Sequence, residues 1–193
     1  MRGGAVRRTG LMFVIIVLVL VVGSGAALAA TIRCDGGLCE GTGGSDTLRG
    51  SAIRDLMRGL GGDDKLYGNR GADEMYGNNG KDRVRGGYGA DEMYGNRGRD
   101  LLRGARGNDQ MSGGPDNDDF YADAGADYAY GGSGRDRIAG GPGRDHLYGG
   151  LYDDTIASQD GVFDVVNCGP GDYDAAVIDR GLDRVTNCEN VYS

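Results

Sequence analysis

The chain has 193 residues, with 21 Lys and Arg against 29 Asp and Glu, a net charge of −8, 40 glycines and one histidine. The acidic balance argues against a nucleic-acid partner, and a lone His146 leaves no H-E-x-x-H zinc site and no convincing Ser or Cys triad. So much glycine raises the ordering entropy and leaves little apolar area, so hydrophobic burial alone is not expected to hold a fold.

In chain order, Arg2, Arg7 and Arg8 precede an apolar run from Leu11 to Val22, and small residues lead to Ala27-Leu28-Ala29. This is the layout of a secretory signal peptide. Residues 1–29 are therefore expected to be cleaved after Ala29, giving a secreted, extracellular product with no stable membrane insertion after cleavage. An uncleaved anchor is the alternative, although the run is short for a membrane span. The remaining chain carries 18 basic and 29 acidic side chains, and should repel itself when free of cations.

Residues 30–40 hold Cys34 and Cys39 and read as an N-terminal cap. Thirteen nine-residue units then run without a gap over residues 41–157, from GTGGSDTLR to GGLYDDTIA. Each carries Asp at its sixth position and an apolar residue at its eighth. Gly stands first in twelve units and fourth in ten, which points to tight or left-handed turns where a Cβ would clash.

After each six-residue turn, three residues read as a short strand. Its middle residue points inward, giving the column Leu48, Met57, Leu66, Met75, Val84, Met93, Leu102, Met111, Phe120, Ala129, Ile138, Leu147 and Ile156. Two units make one coil of eighteen residues, so each face becomes a parallel sheet with strands about 4.8 Å apart. Alternate units share a face. The sixth-position aspartates then form two columns, Asp46, Asp64, Asp82, Asp100, Asp118, Asp136 and Asp154 in one, and Asp55, Asp73, Asp91, Asp109, Asp127 and Asp145 in the other. Carboxylates stacked this closely repel, and a hard divalent cation among them and the turn carbonyls would reverse the sign.

The units resemble the RTX nonapeptide, also called the hemolysin-type calcium-binding repeat, of pattern G-G-x-G-x-D-x-U-x with U a large aliphatic. The resemblance implies an all-β parallel β-roll, a two-sheet right-handed β-helix or solenoid of 18-residue coils with Ca2+ in the turns. It also implies that carbonyls and Asp from two turns of one column hold each Ca2+, which allows up to eleven sites here. Ile53, Asp116, Tyr152 and Ala122 depart from the pattern. The best expected sites are therefore Asp46/Asp64, Asp64/Asp82 and Asp82/Asp100 in one column, and Asp73/Asp91 and Asp91/Asp109 in the other.

Residues 158–193 keep a degraded rhythm. The stretches 161–166 and 171–176 each insert one residue before the Asp, which argues against calcium ligation there and for a C-terminal cap with degenerate repeats. Cys168 and Cys188 lie in this cap. Four cysteines permit three pairings; sequence-local bridges, Cys34–Cys39 and Cys168–Cys188, are the simplest, with a C-x4-C metal site as the rival.

Outward positions seven and nine differ between the faces. Odd-numbered units present Arg49, Lys65, Arg83, Arg85, Arg103 and Arg137, whereas even-numbered units present Tyr76, Tyr94, Tyr128, Tyr130 and Tyr148 with Glu74 and Glu92. Solvated ladders explain both faces, and an anionic extracellular polysaccharide or cell-wall polymer is the sharper reading of the basic one. The expected function is that of a secreted calcium-binding repeat protein with a structural, adhesive or cell-surface role and no enzymatic activity. The alternative is a calcium-dependent polysaccharide-binding or polysaccharide-lyase-like β-helix with Arg83 or Arg85 as base.

Overall fold

The computed structural model describes residues 29–193, so all of the proposed signal segment except Ala29 lies outside the described residues. Each nine-residue unit makes half a coil, and consecutive strands fall alternately into two parallel sheets.

Among the described residues the first sheet has ten strands. They are β1 (Thr31–Arg33), β3 (Thr47–Arg49), β5 (Lys65–Arg70), β7 (Arg83–Tyr88), β9 (Leu101–Arg106), β11 (Asp119–Ala124), β13 (Arg137–Ala139), β15 (Thr155–Ala157), β17 (Ala175–Val177) and β19 (Asn190–Tyr192). The second has nine. These are β2 (Gly37–Glu40), β4 (Asp55–Gly61), β6 (Glu74–Asn79), β8 (Glu92–Arg97), β10 (Gln110–Pro115), β12 (Tyr128–Ser133), β14 (His146–Leu151), β16 (Val165–Asn167) and β18 (Arg184–Thr186).

Within the array, partners lie one eighteen-residue coil apart, as in Leu66↔Val84 and Met75↔Met93. The expected parallel roll is what forms. The eighth-position column is buried throughout, from Leu48 to Ile156. Phe120 and Ala129, the bulkiest and smallest members of this column, are successive along it and both buried.

Most strands are longer than the three residues expected. Strands such as β5 and β7 run six residues, through positions one to three of the following unit. The reason is that the left-handed bend falls at position two without ending the pairing: Asn69 (φ 74°) pairs with Gly87 (φ 121°) across β5 and β7. Asn is among the residues that visit this conformation, and the Asn69 side-chain amide donates to the Gly50 carbonyl one coil earlier at 2.7 Å.

Position four is the second left-handed point, as at Gly71, Gly80 and Gly89. Asp116 (φ 84°) and Tyr152 (φ 81°) adopt the same conformation as the glycines they replace. Those two turns therefore keep the array's shape at the cost of local strain.

The flanking segments continue the coil. Cys34–Cys39 and Cys168–Cys188 are disulfide-bonded, as the local-bridge reading expects. At the C-terminal end the register stretches, with Leu147↔Val166 nineteen apart and Ile156↔Ala176 twenty apart.

Candidate metal centre

Every sixth-position aspartate is buried, at 2 % exposure or less. The strand that follows turns the carboxylate inward two residues before the apolar side chain, so both belong to the coil interior. From Asp64 onward, Oδ1 of each accepts the backbone N–H of the aspartate one coil earlier, whereas Asp46 and Asp55 accept from Ala30 and Gly36. Asp46 donates to Asp64 at 2.7 Å, Asp64 to Asp82 at 2.8 Å, and Asp82 to Asp100 at 2.8 Å. The other column repeats this, with Asp73 to Asp91 and Asp91 to Asp109 both at 2.9 Å.

These ladders run past the array. Asp145 donates to Asp164 Oδ1 at 2.8 Å and Asp154 to Asp174 Oδ1 at 2.6 Å. The degenerate C-terminal coils thus keep the ladder geometry of the array despite the inserted residues. The ladders close on Asp183, which accepts from Asp164 at 3.0 Å, and on Glu189, which accepts from Asp174 at 3.0 Å. Asp154 is therefore an interior member of its column.

The second carboxylate oxygen is the unusual feature. Oδ2 of Asp64, Asp73, Asp82, Asp91, Asp100, Asp109, Asp118, Asp127, Asp136, Asp145, Asp154, Asp164 and Asp174 is buried with no hydrogen-bond partner. An unsatisfied buried carboxylate oxygen is costly, and here it recurs once per unit. Asp46 and Asp55 differ. Ser51 donates to Asp55 Oδ2 through its N–H at 2.7 Å and its hydroxyl at 3.0 Å, and Thr42 contacts Asp46 Oδ2 in the same way.

Backbone oxygens gather at the same place. A Cβ built on Gly59 would lie 2.3 Å from Asp64 Oδ2 and 2.6 Å from the Gly77 carbonyl oxygen; on Gly77 it would lie 2.3 Å from Asp82 Oδ2 and 2.8 Å from that of Gly95. Position one is glycine because a side chain would fill this oxygen-lined cradle, not because its φ is unusual. No group of three or more His, Cys, Asp or Glu side chains converges among the described residues, so carbonyls must complete any ligand set. Buried carboxylate plus carbonyl oxygens are the donors a hard divalent cation takes, and the orphaned Oδ2 atoms fit Ca2+.

Burial dominates the electrostatics. Desolvation pushes the carboxyls of Asp64, Asp73, Asp100, Asp127, Asp154 and Asp164 up to about 7, and that of Asp118 up to about 8. The backbone hydrogen bond to each opposes the shift, and neighbouring column members add to it. Without a cation these carboxyls hold protons near neutral pH.

The model of the RTX calcium-binding nonapeptide repeat matches residues 40–75, 76–111, 94–129, 112–147 and 139–162, more than half of the chain. The chain belongs to this repeat family. RTX nonapeptides bind Ca2+ in multiple turns, and the family is a structural calcium-binding one. No curated protein matches the chain.

The outer surfaces of this RTX roll differ in the sense that the unit parity predicts, although Tyr67, Tyr88 and Tyr121 also lie on the first sheet and Arg58 on the second. On the second sheet Tyr76 and Tyr94 stack with ring centroids 4.8 Å apart, and the lone His146 stacks on Tyr128 at 4.5 Å. The Tyr76 hydroxyl donates to Glu74 at 2.6 Å, which pushes the phenol up to about 12. On the first sheet Lys65 faces Arg83 in register. Part of its charge is offset by diagonal ion pairs that sequence inspection missed, because they link residues twenty apart: Arg99–Asp119 at 2.8 Å and Arg103–Asp123.

Proposed function

We propose that the two aspartate columns are the calcium sites of the roll, and that the chain is a secreted protein folding as it binds Ca2+ outside the cell. One observation carries the reading, the repeated buried Oδ2 without a partner beside a turn carbonyl. When bound, Ca2+ supplies positive charge between stacked carboxylates. Asp64 to Asp154 and the additional Asp164 and Asp174 would hold it, while Oδ2 of Asp46 and Asp55 at the N-terminal end is taken up by Thr42 and Ser51 respectively. The chain's own turns orient these oxygens and keep bulk water away from them.

Export is supported by the 1–29 leader and by two disulfides, which belong in an oxidising compartment. Residues 30–40 and 158–193 act as caps on the array at 41–157. The role outside the cell is structural or adhesive rather than catalytic. Titrating chelator-treated protein with Ca2+ while following far-UV circular dichroism tests the reading. A transition to β-structure is expected, with Mg2+ a poor substitute; identical spectra in excess chelator and excess Ca2+ would overturn it.

A further inference from the structure

A groove of about 510 Å3 crosses β5, β7, β9 and β11 on the first sheet. Its shape follows from the repeat. Arg85 and Tyr88 are exposed side chains on one strand, separated by Gly86 and Gly87. A side chain at residue 87 would meet the Asn69 carbonyl at 2.3 Å, so the interval stays bare. Strand pairing turns this strip into two rows, Tyr67↔Arg85↔Arg103 and Arg70↔Tyr88↔Arg106.

The chemistry of the rows is specific. Tyr88, 54 % exposed, lies between the guanidinium groups of Arg70 at 5.9 Å and Arg106 at 5.3 Å. Arg103 is held by Asp123 through two hydrogen bonds. Arg85 and Arg106 make no ion pair among the described residues. Four arginines and one aspartate thus share a strip on a chain whose net charge is −8. Like charges one strand apart are unfavourable unless an anion compensates them.

We infer that this groove binds an acidic polysaccharide bearing uronate carboxylates. Arg85 and Arg106 would take carboxylates by two-pronged hydrogen bonds, while the half-buried Tyr67 and the exposed Tyr88, whose rings are covered by neighbouring guanidinium groups, would offer their hydroxyls to sugar hydroxyls. The rows repeat at about the 4.8 Å strand spacing, comparable with the rise per sugar of an extended glycan. A uronate chain carries one charge per sugar, a low density that suits two arginines without an ion pair among the described residues, and denser polyanions serve as competitors in the test. The inference rests on the calcium-loaded roll for its fold and on export for access to glycan.

The test uses the full mature protein at saturating Ca2+, with short oligogalacturonate as ligand and isothermal titration calorimetry as readout. Binding that weakens with salt is expected, together with no binding to neutral dextran. Arg85→Ala and Arg106→Ala should each lower affinity about tenfold, equivalent to about 1.4 kcal/mol. Arg58→Ala, on the opposite sheet, should leave it unchanged. Circular dichroism of each variant with Ca2+ separates lost binding from lost folding. Absence of oligogalacturonate binding by calcium-folded protein overturns the groove assignment and leaves the calcium reading standing; a fold indifferent to Ca2+ overturns the latter alone. Wild-type affinity in both arginine variants, or tighter binding of dextran sulfate or an oligonucleotide than of the uronate, also overturns the assignment.

Discussion

The backbone N–H of Asp73 donates to Oδ1 of Asp91 at 2.9 Å, while Oδ2 of the same carboxylate has no partner. One oxygen thus tethers two coils and the other remains for a cation. Asp91→Asn can keep the tether but loses the charge, whereas Asp91→Ala loses both. In calcium titrations, both variants should bind fewer ions than wild type. The Ala variant should also be less stable than the Asn variant by about 1 kcal/mol, the worth of one hydrogen bond. Equal stability of the two would show that the tether contributes nothing.

The raised carboxyls predict an inverted pH response in chelator. Their folded pKa values, about 6 to 8 for most of the columns, lie above the ordinary value near 4. Stability from these groups is therefore complete below about pH 4 and is lost as pH rises through the folded values. Metal-free protein should show more β-structure at pH 5 than at pH 8, and Ca2+ should reverse the order at pH 8 while releasing protons. Circular dichroism at the two pH values, with and without Ca2+, reads both effects; a metal-free fold that strengthens toward pH 8 contradicts the buried ladder.

Two glycines separate the need for space from the need for conformation. Gly77→Ala places a Cβ 2.3 Å from Asp82 Oδ2, and overpacking there should cost about 1–3 kcal/mol and reduce calcium binding. Gly161 has φ +87° but nothing within 4 Å of an added Cβ. Its replacement by Ala should cost about 1–2 kcal/mol in strain and spare calcium stoichiometry. Denaturant melts paired with calorimetry distinguish the two; unchanged calcium binding in Gly77→Ala counts against the cradle.

Much of this was legible from spacing alone. A sixth-position Asp with an apolar residue two places later set the coil length, the sheet parity and both columns. The continuation of the hydrogen-bond ladders through Asp164 and Asp174 was not legible because an inserted residue breaks the nine-residue count. Their local signal is intact, since Val166 and Ala176 follow two places after each and are buried like their array counterparts. The length of the strands was hidden for a different reason: a left-handed Asn69 or Gly87 reads as a turn, yet parallel pairing carries through it. Arg103–Asp123 was invisible because it crosses strands diagonally.

The Cys168–Cys188 bridge spans the last coils, β16 to β18. Its removal should lower stability by on the order of 3 kcal/mol, and the shorter Cys34–Cys39 loop should matter less. Hydrogen exchange on calcium-loaded protein with and without reductant should show β16 to β19 losing protection before β7 to β10. Uniform loss across both regions would mean that the ends govern the whole roll.

The alternation of units between sheets behaves like a reading frame. Removing two adjacent units shortens the roll by one coil and leaves every later side chain on its own sheet. Removing a single unit, such as residues 77–85, sends all that follows to the opposite side, so that Arg103 would stack in the file of Tyr76. The aspartate columns are indifferent to such a shift, because every unit carries the same carboxylate. A row such as Tyr67↔Arg85↔Arg103 is not. Duplication and loss in pairs would preserve both properties of this chain, whereas odd steps would spare cation chemistry and scramble the outer surfaces.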